Sequence, residues 1–300
     1  MPLIFGPVAS RRFGSSLGID LSPEQKCCNY DCLYCELAKA KVMDKSINPP
    51  SPNEIISELK AAISRFGATD VITLTANGEP TLYPHLKELI SQINAIKTTQ
   101  KSLILSNGSA ALYAQRLDAL KELDIVKFSL DSAVQSTFRR IDRGIKNYSV
   151  EQMIENMASF SKQFKGELVL EVLVVQGFND SELEFSALNA AFDKIKPTRV
   201  DISSIDRPPA HDVKGVSAQK LDELARLITS APAFCAHKTP LKEPKNLSQD
   251  ELLKLLKMRP QSEHDVQNNL TKSTQELLQS LQKSGKIYTQ NLAGVIFYRA

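Results

Sequence analysis

Apolar positions over residues 50–230 fall into two alternating patterns. Short runs of strand length occur at 71–75 (VITLT), 102–105 (SLIL), 125–130 (IVKFSL), 168–175 (LVLEVLVV) and 199–204 (RVDISS). Between them, near 53–66, 85–97, 110–122, 150–163, 182–195 and 217–229, apolar residues recur at helical spacing, as in Ile55, Leu59, Ala62 and Ile63. LGIDL at 17–21 places a further strand ahead of the series. Strands alternating with helices predict an α/β fold with a parallel sheet and crossover helices. Six strands, with no obvious seventh or eighth, predict an open sheet or an incomplete (βα)6 TIM-like barrel.

The polar punctuation then falls on one end of the strands. Four cysteines follow the first, NGEPT (77–81) the second and SNG (106–108) the third; SLDS (129–132) ends the fourth, QGFND (176–180) follows the fifth and DRPP (206–209) the sixth. Chemistry in parallel α/β folds gathers at the carboxyl ends of strands, so these loops predict one active face. Beyond Cys235 the pattern changes. Residues 236–246, with two prolines, read as a linker. In 247–300, a capping box at Ser248 and Glu251 predicts a helix over 249–257, a second is predicted over 262–269, and Ser273 with Glu276 predicts a third ending at Gly285. KIYTQ and GVIFYR, separated by a turn at 291–294, predict a hairpin. The division is therefore 1–235, a linker over 236–246, and a small winged-helix-like domain over 247–300.

Charge sharpens this division slightly. Ten basic and six acidic residues fall in 236–300, against 27 and 28 in the remainder, so the net charge of +3 resides in the tail. That bias hints at an anionic partner there. No apolar run approaches the length of a membrane span, and the basic pair of MPLIFGPVASRRF follows the apolar residues, the wrong order for a secretory signal. A cytoplasmic location is expected. Five cysteines, four of them within 27–35, then point to metal or redox chemistry rather than disulfides.

The cluster reads KCCNYDCLYC over 26–35. From Cys28 the spacing is C-x3-C-x2-C, three thiolates able to hold three irons of a cubane and leave the fourth open. From Cys27 it is C-x4-C-x2-C, a ferredoxin spacing that needs a fourth ligand, for which Cys235 is available. Structural zinc is the other reading, and it wants four closed ligands.

Cys28, Cys32 and Cys35, with an aromatic before the last, resemble the signature of the radical S-adenosylmethionine (radical SAM) superfamily. Gly78-Glu79-Pro80 resembles its GEP element, and SLD after the fourth strand agrees. The resemblance covers roughly residues 5–235. GPVASRRFGSSLGIDL, KCCNYDCLYC, NGEPTLYP and DRPP further resemble a wyosine-synthetase-like subgroup. The resemblance implies a 4Fe-4S cluster on the three cysteines and S-adenosyl-L-methionine on the open iron. Reductive cleavage of that cofactor would give a 5′-deoxyadenosyl radical that abstracts hydrogen from a substrate. It implies that Tyr34 packs beside the adenine, that Gly78 and Glu79 engage the methionine ammonium, and that Ser129 and Asp131 contact the ribose. Asn107 is expected to line the same pocket, and Asn179 with the Gly177 backbone to approach the adenine side. Cys27 and Cys235 are expected to be packed side chains. Arg11, Arg12, Arg139, Arg140, Arg143 and Arg207 are expected near the open face, where arginines suit a phosphate-bearing substrate. A third tail helix carrying Lys272, Gln275, Gln279, Gln282 and Lys283, with Lys286 and Arg299 on the wing, suits nucleic acid, and the subgroup points to tRNA. No flavodoxin-like segment is present, so an external ferredoxin or flavodoxin is expected to deliver the electron. The competing readings are an iron–sulfur redox sensor with a nucleic-acid-binding tail and an activase of a partner protein.

Overall fold

The computed structural model describes residues 2–10, 12–67, 69–145, 148–235, 243–292 and 295–300. In chain order the first elements are β1 (Ile4–Ser10), β2 (Gly14–Asp20), α1 (Pro52–Phe66), β3 (Val71–Thr75), α2 (Leu86–Ile96), β4 (Lys101–Ser106), α3 (Ala114–Leu120) and β5 (Ile125–Ser129). They are followed by α4 (Gln135–Asp142), α5 (Val150–Gln163), β6 (Glu167–Val174), α6 (Glu182–Ile195), β7 (Arg199–Ser204), α7 (Ala218–Ala225) and β8 (Ala233–Cys235). Helix starts follow local chemistry. Ser51 and Glu54 close a capping box on α1 with a proline in its first turn, and Ser149, Ser181 and Ser217 cap α5, α6 and α7.

The eight strands form one sheet in sequence order, parallel from β2 to β8. The six expected strands are β2–β7, and the expectation of no further strands is corrected at both edges. β1 pairs antiparallel with β2. The register shifts between Phe5 and Val8, across Gly6-Pro7, yet pairing resumes on either side. β8 is only three residues long, too short for a periodicity signal. Alternation along the parallel strands sets two layers. Ile72, Leu74, Ile104, Val126, Leu168 and Leu170 pack under the helices, whereas Val71, Leu103, Ile125 and Val169 gather with Phe13 on the opposite face, inside the curve of the sheet.

The tail comprises α8 (Gln249–Met258), β9 (Gln261–Ser262), α9 (Glu263–Asn269), α10 (Lys272–Lys283), β10 (Tyr288–Leu292) and β11 (Val295–Arg299). The three helices and the hairpin are present, with β9 joining in the order β10-β11-β9. α8 has the Ser248/Glu251 capping box, but α10 is capped by Thr271 rather than Ser273. The tail's apolar cluster, including Leu252, Leu255, Leu256 and Phe297, takes in Phe5 and Val8 of β1. Lys254 of α8 and Asp20 at the end of β2 form a fully buried ion pair. Arg11, residues 236–242 of the linker and 293–294 of the expected turn lie outside the described residues. Among the described residues, no helix is long and apolar enough to cross a membrane.

Candidate active site

Residues 21–50, between β2 and α1, contain no regular helix or strand, so their shape comes from what they touch. The first anchor is Cys27, which is buried and pairs by its backbone with the loop after β3. Its N–H donates to Asn77 O at 2.9 Å, and its carbonyl accepts from Glu79 N at 2.8 Å, forming a one-residue parallel bridge to Gly78. Gly78 has φ +136°, and a Cβ there would lie 1.9 Å from the Cys27 carbonyl oxygen. Only glycine meets both demands. Gly78→Ala is therefore expected to lower stability by at least about 1–3 kcal/mol from backbone strain alone. Urea denaturation would check this, and an unchanged midpoint would show that the close approach is not maintained.

Cys28, Cys32 and Cys35 follow on the same loop, half-buried, with a Cys35 N to Cys32 O bond of 3.1 Å turning the chain. Their thiols have unlike neighbours. Lys26 Nζ donates to Cys35 Sγ at 3.3 Å, Asn107 Nδ2 reaches Cys28 Sγ at 3.8 Å, and Cys32 Sγ donates to Asp142 Oδ1 at 3.4 Å. Burial, then the Glu79 charge, pushes the Cys28 thiol up to about 12, and burial with Asp142 raises Cys32 well above its ordinary value. The sulfurs also disfavour one another's ionisation, so three thiolates here call for a cationic group among them. Among the described residues no three His, Cys, Asp or Glu side chains are gathered closely enough for a single metal ion. A cubane takes each thiolate on a different iron, and soft donors suit iron–sulfur chemistry, so this set fits a cluster.

Glu79 lies beside Cys28 and is fully enclosed. One carboxylate oxygen accepts from Thr81 N (3.0 Å) and Thr81 Oγ1 (2.6 Å), the other from Asn107 N (2.7 Å). Burial raises its pKa against those hydrogen bonds. Asn107 Nδ2 also donates to Asn29 Oδ1 at 2.8 Å, and Asn29 in turn donates to Ser109 and Tyr148. Cys28, Gly78, Glu79 and Asn107 thus form one group. Tyr34, Asp131 and Asn179 form a second. The Tyr34 hydroxyl donates to Asp131, whose other oxygen accepts from Leu173 N at 2.7 Å. Burial pushes the Asp131 carboxyl up to about 7. Asn179 is wholly buried, donating to Asp131 O and Leu173 O and accepting from Val175 N. Its side chain fastens the ends of β5 and β6, and both of its amide protons are used in doing so. Ser129 is half-buried at the end of β5, its carbonyl against Gly108.

The chain has counterparts among known proteins. Residues 25–188 match the family model described as the Radical SAM superfamily. The chain belongs to the radical SAM superfamily. Its cofactors are accordingly a 4Fe-4S cluster and S-adenosylmethionine, and it is an enzyme. A relative over the whole length is a "UPF0026 protein" of Helicobacter pylori (strain J99), 40% identical over 308 residues, covering 100% of this chain and 98% of that one. Among solved structures, a radical SAM methyltransferase from Sphaerobacter thermophilus superposes with a TM-score of 0.57 at 15% identity, covering 73% of this chain and 66% of that one. TYW1 with a lysine-pyruvate adduct bound gives 0.53 at 19%, covering 71% and 72%. At these identities the two structures establish the fold.

In this radical SAM enzyme a cavity of about 390 Å³ lies among the cysteine loop, the Gly78 loop and the sheet. Its lining includes Tyr34, Cys35, Gly78, Arg12, Lys127 and Arg259 of the tail. The arginines do not share one face, which corrects the sequence reading. Arg12 belongs to the β1–β2 turn at the amino end of the parallel strands and is ion-paired inside the barrel with Glu171 (2.8 Å) and Asp201 (3.2 Å). Arg143 pairs with Asp31 on the cysteine loop at 2.9 Å, Arg140 covers the Phe178 ring, and Arg207 is buried against Pro260 O. Cys235 is half-buried on β8, as expected of a packed side chain. Sequence reasoning missed Lys26, Asn29 and Asp142. Lys26 and Asn29 flank the first cysteines and were within reach of it. Asp142 is 110 residues from Cys32 and carried no local signal.

Proposed function

We propose that Cys28, Cys32 and Cys35 hold the 4Fe-4S cluster and leave one iron open to S-adenosylmethionine. The observation that carries this reading is the clamp between Cys27 and Gly78, which fixes the thiol loop against the loop bearing Glu79. When bound, the cluster and S-adenosylmethionine supply a carbon radical that abstracts hydrogen from the substrate. The chain's own residues bind and orient. Glu79, aligned by Thr81 and the Asn107 amide, accepts the methionine ammonium, while Gly78 lets the backbone approach. Tyr34 and Ser129 flank the adenosine with Asp131, which Asn179 fixes in place, and Asn107 closes the side near Cys28. The protein acts in the cytoplasm and takes its electron from an external ferredoxin or flavodoxin.

The substrate in this reading is an RNA base, carried by a tRNA. Residues 1–235 form the radical SAM core, 236–246 the linker and 247–300 a winged helix that docks the RNA. Lys272, Gln279, Gln282, Lys283 and Lys286 are exposed and offer a modest phosphate-binding face. Gln275 and Arg299 turn inward, to Leu270 O and Glu36 O, and serve packing instead. Two experiments separate the parts of this reading. Anaerobically reconstituted protein, reduced with dithionite, is expected to release 5′-deoxyadenosine from S-adenosylmethionine; no release contradicts the cofactor assignment. Crosslinking in cells followed by RNA sequencing is expected to enrich one tRNA; no enrichment contradicts the substrate class and leaves the chemistry standing.

A further inference from the structure

Lys26 is a buried lysine without a carboxylate. It is 8% exposed, and among the described residues its ammonium forms no ion pair with Asp or Glu. A buried cation left unpaired is costly, so a counter-charge belongs beside it. Its hydrogen bond goes to Cys35 Sγ at 3.3 Å, and its charge also favours the thiolate form of Cys28. Cys32 has the opposite surroundings, with Asp142 Oδ1 at 3.4 Å and Asp131 close by. Cys35 thus has a cation as its hydrogen-bond partner, whereas Cys32 faces Asp142 and Cys28 feels the Glu79 charge more strongly than that of Lys26.

We infer that Lys26 sets the reduction potential of the cluster by donating an N–H···S hydrogen bond to Cys35 and holding a positive charge against it. This rests on the assignment of Cys28, Cys32 and Cys35 as ligands. Adding one electron makes a thiolate-bound cluster more negative, so a nearby ammonium stabilises the reduced form more than the oxidised one. Hydrogen bonds to the sulfurs and net local charge are established determinants of iron–sulfur potentials. Lys26 touches a ligand and not the substrate, which makes it a positioning and tuning residue. A rival task for the ammonium is holding the carboxylate of S-adenosylmethionine, and the two tasks leave different traces.

The test is potentiometric titration followed by electron paramagnetic resonance, on wild type and on Lys26→Met and Lys26→Arg reconstituted to equal iron and sulfide. Lys26→Met is expected to move the midpoint negative by enough to reduce the reduced-to-oxidised ratio at least tenfold at fixed poise, about 59 mV for one electron. Lys26→Arg is expected to recover most of that shift. Should the methionine variant fail to take up a cluster, Lys26→Gln removes the charge while keeping a polar end. An unchanged midpoint in a fully loaded neutral variant overturns the inference, and if S-adenosylmethionine binding weakens at the same time, the ammonium belongs to the cofactor carboxylate. A wild-type protein that takes up no cluster contradicts the ligand assignment instead.

Discussion

Lys254→Met is expected to destabilise the protein by about 3–5 kcal/mol, although Lys254 lies far in sequence from any cofactor residue. Both Lys254 and Asp20 are fully buried, and the ammonium is the partner of one Asp20 carboxylate oxygen. Burial lowers the Lys254 pKa while Asp20 holds it up. Removing the lysine strands a carboxylate in the interior. The other Asp20 oxygen accepts from Asn77 N (2.7 Å) and Ser22 N (3.1 Å), and Asn77 O in turn accepts from Cys27 N. The damage therefore spreads from the tail into the clamp that holds the thiol loop, and cluster content after reconstitution should fall as well. Neutralising both partners, as in Asp20→Asn with Lys254→Met, is expected to be less destabilising than Lys254→Met alone. A urea-denaturation cost below about 1 kcal/mol for the single variant would mean the pair is not sealed from water.

Cys32→Ala and Cys27→Ala are expected to behave oppositely, and the contrast decides the register of the thiol motif. Cys32→Ala removes one of three corners, so iron and sulfide per chain and 5′-deoxyadenosine release should drop to background. Cys27 is buried, and its role lies in its backbone hydrogen bonds to Asn77 and Glu79, which alanine keeps. Cys27→Ala should cost about 1 kcal/mol and retain both the cluster and the cleavage activity. Loss of the cluster from Cys27→Ala with retention in Cys28→Ala would assign the ferredoxin-type spacing.

Much of this architecture was legible because its signals are local. The runs that became β3 to β7 each alternate with a periodic helix, and Gly78-Glu79-Pro80 and the cysteine spacing are contiguous in the chain. The features that escaped depend on distant partners. β1 is held by pairing with β2 and by Phe5 and Val8 packing on the tail, none of which a proline-containing segment announces. At α10 two cap signals overlap. Thr274 is buried and its hydroxyl accepts from Leu247 N at 2.9 Å, which draws Thr274 into the first turn and leaves Thr271 as the cap. The same principle hides Asp142 and Lys254, whose importance comes from Cys32 and Asp20 across the fold. Arg12 misled in the other direction. Its sequence position beside the first strand suggested the active face, but a hairpin turn precedes β2, which places it at the opposite end.

The central claim, a cubane held by three protein thiolates with one corner free for the cofactor, is tested most directly by Mössbauer spectroscopy of protein reconstituted with 57Fe. Adding S-adenosylmethionine is expected to change the spectrum of one iron in four and leave the others as they were. Irons that all remain unaffected, or oxygen-free protein that carries zinc in place of iron, would contradict it.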